Sequence, residues 1–98
     1  MEGIRKIPCQ QIEIDEDKII DDIARNIHNV RVAKKISVRL LALKAGVQER
    51  HLYKIENGRH RVGILTVIRI ARALDLDINS LINGTGLEEY ENKKMKDI

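Results

Sequence analysis

Two short helical patterns that meet at a single glycine constrain the fold of this chain more than any other feature. Within residues 37–58, two helices of about eight to ten residues are separated by a three-residue turn centred on Gly46. Ala42 lies four residues before this glycine, where a small side chain lets the two helix axes approach closely. Leu52 and Ile55 follow the turn and can anchor the second helix to a core. The spacing indicates a helix-turn-helix, although a generic helical hairpin shares part of the pattern.

Helical spacing of apolar residues continues on both sides of this unit. We predict helices over residues 16–34, 38–45, 48–57, 64–74 and 78–82. Residues 1–15 form an arm, in which the alternating stretch 11–14 could be a short strand without an evident partner. Residues 86–98 form a charged tail that we expect to fray. The predicted fold is an all-α, compact five-helix bundle over residues 16–85.

Length and composition exclude several classes of protein. The chain has 98 residues, enough for one small domain, and a single cysteine, Cys9, which rules out an intrachain disulfide framework. No apolar run approaches the roughly 18 residues of a membrane span, and no signal peptide opens the chain, so we expect a cytoplasmic protein. The histidines His28, His51 and His60 lack metal-ligand spacing. With no nucleophile–base set and no phosphate loop, we predict no metal, no cofactor and no enzymatic activity.

Charge is distributed unevenly along the chain. Residues 1–22 sum to −4, residues 23–62 to +8 and residues 63–98 to −1, which gives the net charge of +3. A central basic block between acidic ends points to a polyanionic partner, most often a phosphate backbone. The alternative is a solvated basic face without a partner.

Four short motifs follow one another between residues 36 and 85. They are Ile36-Ser37-x-x-x-Leu41-Ala42-x-x-Ala45-Gly46-Val47, Leu52-x-x-Ile55-Glu56-Asn57-Gly58, Ile70-Ala71-x-Ala73-Leu74 and Leu81-Ile82-Asn83-Gly84-Thr85. In order and spacing they resemble the phage-repressor/Cro-type (xenobiotic-response-element-type) helix-turn-helix DNA-binding family. The resemblance covers about two-thirds of the chain and implies a lambda-repressor-like bundle of five helices.

The resemblance also implies which residues read DNA bases. The N-terminal half of the third helix would enter the major groove, which makes the base-reading candidates Gln48, Glu49, Arg50 and Lys54. Arginine can bind guanine through two hydrogen bonds, and glutamine suits adenine. Glu49 departs from the usual neutral or basic residue: it could accept from a cytosine amine, repel phosphates at wrong sites, or only favour the first helical turn. His51 and Tyr53 could face solvent, touch a phosphate or pack.

A second set of residues is implied for phosphate contacts. It comprises free N–H groups at the start of the second helix and the side chains Ser37, Arg39, Asn57, Arg59 and Arg61. The family often has a glutamine clamp directly after the second-helix cap, but Val38 stands there, which puts that contact in doubt. Val62 and Gly63 replace the common proline and serine before the fourth helix.

One ion pair and one subunit contact complete the predicted features. By resemblance, Arg31 pairs with Glu56 and ties the first helix to the third; the alternative is two unrelated surface charges. The fifth helix carries Ile78, Leu81 and Ile82, more aliphatic residues than so short a helix easily buries within its own subunit. We predict a homodimer built on these three residues, helped by the arm or the tail. Alternatively, they fold back on the first helix.

These features lead to one functional hypothesis and one alternative. The leading hypothesis is a sequence-specific, double-stranded-DNA-binding transcriptional regulator, a repressor that acts as a homodimer on a two-fold operator. The alternative is an antitoxin-type protein that binds a toxin partner and represses its own promoter. No membrane and no metal enter either hypothesis.

Overall fold

The computed structural model describes residues 12–96, and every regular element in that range is a helix. The helices are α1 Glu16–Ala33, α2 Val38–Ala45, α3 Glu49–Glu56, α4 Ile64–Ala73, α5 Ile78–Ile82 and α6 Gly86–Lys96. The predicted all-α fold is confirmed, and α1 to α5 lie within one residue of their expected bounds. Residues 12–14 have no regular structure, while residues 1–11, with Cys9 and most of the arm, lie outside the described range.

Local side-chain chemistry accounts for where several helices begin and end. Asp15 accepts a hydrogen bond from the Lys18 backbone N–H at the start of α1, and Asp77 caps α5 in the same way. The turn after α2 takes a positive φ of 72° at Gly46, a conformation that glycine adopts without steric cost. Gly63 precedes α4 without a side-chain cap.

The core lies where α1 meets α3 and α5 and where α2 packs on α3 and α4. Its largest fully buried side chains are Ile27, Val30, Leu41, Leu52, Ile55, Ile70, Leu74 and Leu81. Asn26, which is also buried, donates hydrogen bonds from Nδ2 to the backbone oxygens of Asp22 and Leu81, each at 2.8 Å. The bond to Leu81 therefore links α5 to α1, in addition to the apolar contacts between the two helices.

The C-terminal segment differs from its prediction. Residues 86–96, expected to fray, form α6, which packs along α1 and also contacts α5. Leu87 and Tyr90, three residues apart, are half-buried against the core. Tyr90 donates from its hydroxyl to the Ala33 backbone oxygen at 3.4 Å, and the Lys34 ammonium lies 5.4 Å from the centre of its ring. The high charge of this segment belongs to the solvent-facing side of an amphipathic helix.

Glu89 connects α6 to the start of α5. Its carboxylate accepts from the Asp77 backbone N–H at 3.1 Å and from the Ser80 hydroxyl, and it pairs with Lys93 at 3.2 Å. Burial raises the pKa of Glu89, but the hydrogen bonds from Ser80 and Asp77, with the help of Lys93, outweigh it and hold that pKa below its ordinary value. The ionised form of Glu89 therefore stabilises the docked helix.

Replacing Glu89 by alanine should lower the free energy of unfolding by about 1–2 kcal/mol at neutral pH, because charge-assisted hydrogen bonds are lost. Since the folded-state pKa is depressed, this contribution is full above the ordinary glutamate pKa of 4.5 and is lost as the pH falls through the lower folded value. Urea unfolding over the acid range measures it. Glu88→Ala, an exposed neighbour on α6, is the control; equal losses in both variants would contradict the assignment.

Candidate nucleic-acid interface

The exposed face of α3 gathers most of the predicted base-reading residues. Buried Leu52 and Ile55 hold the opposite face of this helix in the core. On the outer side, one shallow depression is lined by Glu49, Arg50, Tyr53, Lys54 and Asn57. Positions three and four apart on a helix share a face, which explains why these residues lie together. The helix thus offers two cations, one carboxylate, one phenol and one amide on a single surface.

Gln48 lies at the entrance of that helix. It is the N-cap residue of α3, it is exposed, and its side chain makes no capping hydrogen bond. The side-chain amide therefore has donor and acceptor capacity left for another molecule. All four predicted base-reading residues are exposed at the N-terminal end or on the outer face of α3.

Tyr53 is a candidate site residue that the sequence left undecided. Its side chain is 51% exposed and lies on the same face as Arg50 and Lys54. A half-exposed aromatic ring beside two cations suits contact with the edge or methyl group of a base. The signal in the sequence is its spacing from Arg50, three residues along one helix face. His51 lies elsewhere: it is half-buried, and its ring packs edge-on against that of His60, with 5.2 Å between the centroids.

The end of α3 is fixed to α1 by a charged cluster. Arg31 Nε lies 2.8 Å from Glu56 Oε2, and Arg31 Nη2 donates to Glu56 Oε1 at 3.1 Å, so the guanidinium binds the carboxylate through two bonds. The two side chains are 13% and 6% exposed. Arg31 also donates to the Ile36 backbone oxygen, and His28 Nδ1 lies 3.0 Å from Glu56 Oε1. The structure thus brings the predicted pair together as a largely buried ion pair that links α3 to α1.

The start of α2 presents backbone rather than side-chain donors. Ser37 caps the helix: its Oγ accepts from the Leu40 N–H at 3.0 Å, and the side chain remains on the surface. Val38 is buried in the core and offers no polar group, so its side chain cannot supply the family's glutamine clamp. Arg39, the next residue, is exposed. This end therefore combines backbone N–H groups, the positive end of the helix dipole and one arginine.

The loop after α3 carries the other predicted phosphate residues, two of which already have partners. Asn57 is the exposed C-cap of α3. Arg59 Nε lies 3.5 Å from Asp21 Oδ2, and Arg61 Nη2 forms an ion pair with Glu16 Oε1. Both acids belong to the N-terminal half of α1. Sequence spacing did not reveal these contacts, because they join residues about 40 positions apart.

Within residues 12–96, no group of three or more His, Cys, Asp or Glu side chains could hold a metal ion. In the same range, no helix is both long enough and apolar enough to cross a bilayer. The charged groups that converge on the outside of α3 and the following loop are hydrogen-bond donors for the most part. Such a surface suits a polyanion that also exposes hydrogen-bonding groups, as a nucleic acid does at the edges of its bases.

A family model described as Helix-turn-helix matches residues 27–81, more than half of the chain. The chain belongs to the Cro and C1 type of helix-turn-helix proteins. The matched span begins in the C-terminal half of α1 and ends in α5, so it includes the Arg31–Glu56 ion pair and all of α3. Members of this family are DNA-binding transcriptional regulators.

Individual similar proteins agree with that membership. An uncharacterised HTH-type transcriptional regulator of Sinorhizobium fredii (strain NBRC 101917 / NGR234) is 34% identical over 58 residues, which are 59% of this chain and 30% of that protein. The chain therefore spans less than a third of the length of this relative.

Two solved structures share the fold. The restriction-modification controller protein C.AhdI of Aeromonas hydrophila aligns with a TM-score of 0.61 and 24% identity, over 63% of this chain and 94% of that one. The hypothetical transcription factor NHTF of Neisseria aligns with a TM-score of 0.64 and 23% identity, over 79% and 88% of the two chains. At these identities the likeness concerns the fold alone.

Proposed function

We propose that this helix-turn-helix protein is a cytoplasmic repressor that binds a specific two-fold operator in double-stranded DNA as a homodimer. The observation that carries the proposal is the outer face of α3, where Arg50, Tyr53 and Lys54 lie exposed together. The opposite face of this helix is buried in the core. A helix packed on the core in this way can place the polar ends of its exposed side chains within hydrogen-bonding distance of the base edges.

In the proposed complex α3 lies in the major groove with its N-terminal end inward. Arg50 supplies two N–H donors to guanine O6 and N7, and Gln48 can pair with adenine N6 and N7. Lys54, one turn further along, adds a donor on the same face. Glu49 either accepts from a cytosine amine or disfavours other bases at that position.

Contacts to the phosphate backbone set the register of the helix in the groove. The start of α2 offers backbone N–H groups, with Ser37 and Arg39 beside them, and the loop after α3 offers Asn57, Arg59 and Arg61. These contacts carry no sequence information, but they supply most of the salt-dependent affinity.

Selection of bound duplexes from random DNA tests the proposal. We expect a recovered site made of two inverted half-sites whose centres are about one helical turn, or a multiple of it, apart. A fixed half-site sequence should emerge within each, because α3 presents the same side chains in both subunits. Recovery of unrelated sequences, or of no duplex at all, would overturn the proposed function.

The dimer surface needs one correction. Leu81 is fully buried in the core of its own chain, so it is not available to a second subunit. Ile78 is half-buried, and Ile82 remains 37% exposed. The proposed subunit contact therefore rests on Ile82 and the outer edge of Ile78. The antitoxin alternative has no specific support among the described residues.

Replacing Ile82 by aspartate should convert the dimer into a folded monomer at tens of micromolar, because a charge would be buried without a partner at the subunit contact. Light scattering measures the mass, and circular dichroism checks that the fold is kept. Leu43→Asp is the control, since Leu43 is an exposed apolar residue on α2, outside the segments assigned to the subunit contact. A wild-type monomer under these conditions would refute the dimer.

A further inference from the structure

We infer that Glu16 and Asp21 compete with DNA phosphate for the two loop arginines, so that the acidic half of α1 is a built-in brake on DNA affinity. This inference rests on the proposed function, since it needs Arg59 and Arg61 to contact phosphate. In the free protein each of these arginines has a carboxylate partner on α1. A DNA phosphate would compete with those carboxylates for the two guanidinium groups.

Asp21 lies close to the loop at two of its residues, Gly58 and Arg59. Its Oδ2 lies 3.5 Å from Arg59 Nε. Its Oδ1 lies so close to Gly58 that a Cβ built there would be only 2.8 Å away. Gly58 and Arg59 both have positive φ angles, 83° and 60°, so the chain makes a tight turn directly over this carboxylate. The turn brings the Arg59 guanidinium close to the Asp21 carboxylate and leaves no room for a side chain at position 58.

Glu16 acts on the other end of the same loop. It lies in the first turn of α1, and its carboxylate pairs with the terminal Nη2 of Arg61, an atom that a phosphate would otherwise use. The side chains of Glu16 and Arg61 are 51% and 79% exposed. Because both partners are reached by solvent, the pair is weak enough for DNA to break it.

The other acids of this segment are not directed at the loop. Asp22 pairs within α1, with Lys18 at 2.9 Å and Arg25 at 3.3 Å. The hydrogen bond and the charge of Lys18 lower the pKa of Asp22. Glu13 and Asp17 are exposed and appear in no ion pair among the described residues. Two of the six acids in residues 12–22 thus pair with the loop arginines, and two of the others, Glu13 and Asp17, provide a control of equal charge.

The brake should act equally on every DNA sequence. Arg59 and Arg61 meet only the backbone in the proposed complex, and backbone contacts are the same for all sequences. Removing the carboxylates therefore changes affinity but not the operator that is selected. The effect should also shrink as salt is added, because exposed ion pairs are screened.

The test measures duplex DNA affinity for the full chain with Glu16→Gln and Asp21→Asn together, against the wild type and a matched variant with Glu13→Gln and Asp17→Asn. The matched variant removes the same charge from the same segment without touching the loop. At low salt we expect the first variant to bind about tenfold more tightly than the matched one, since each exposed pair contributes a few-fold. Both should select the operator that the wild type selects.

The outcomes separate this inference from the proposed function. If the wild type binds its operator and the first variant binds no more tightly than the matched one, the brake is wrong while the proposed function stands. If the wild type binds no duplex, both are wrong. Glu16→Gln alone is the fallback should the double variant unfold, because Glu16 is half-exposed in the first turn; it should then give at least a twofold gain over Asp17→Asn, and no gain would overturn the brake.

Discussion

Replacing Glu56 by alanine should lower the free energy of unfolding by about 3–5 kcal/mol, because Arg31 would be left charged and largely buried without its partner. Arg31 is only 13% exposed, and the two bonds to Glu56 supply most of its compensation. The bond to the Ile36 backbone oxygen remains but carries no opposite charge. Urea unfolding followed by circular dichroism measures the loss.

A double variant without either charge separates the stranded charge from lost packing. The variant with Arg31→Met and Glu56→Leu removes both charges and keeps apolar volume, so it should recover a large part of the stability that Glu56→Ala loses. Glu91→Ala, at an exposed position on α6, should change stability by less than about 0.5 kcal/mol. If Glu56→Ala lowered the free energy of unfolding no more than Glu91→Ala does, the ion pair would not stabilise the packing of α3 on α1.

Replacing Arg50 by alanine should relax the preference for one base pair in each half-site by about 1–3 kcal/mol, because the two hydrogen bonds to guanine are lost. Lys54→Ala should relax a neighbouring position in the same way. Competition binding between the selected operator and single-base variants of it measures the change.

Arg61→Ala is the matched control, since it also removes one exposed cation from the same surface. It should weaken binding to all duplexes alike and leave the order of preference unchanged, because its proposed contact is with phosphate. If Arg61→Ala altered the preferred sequence while Arg50→Ala did not, the orientation of α3 in the groove would be wrong.

The sequence by itself was sufficient for the local features of this protein. Helix bounds follow from apolar spacing and from caps such as Ser37, which act within a few residues and need no tertiary context. The turn at Gly46 is likewise a local consequence of glycine's freedom at positive φ. The outer face of α3 could be anticipated because helical periodicity assigns Leu52 inward and Arg50 outward.

Only the tertiary structure decided the features that depend on partners far along the chain. Composition alone suggested a frayed tail after Gly84, but Leu87 and Tyr90 find cover on α1, and Glu89 finds donors at the start of α5. The apolar pattern could not distinguish Leu81, which is buried, from Ile82, which remains partly exposed, because both are aliphatic residues of the same short helix α5. The pairing of the loop arginines with acids of α1 also needed three dimensions, since charge attraction depends on distance in space and not on separation in sequence.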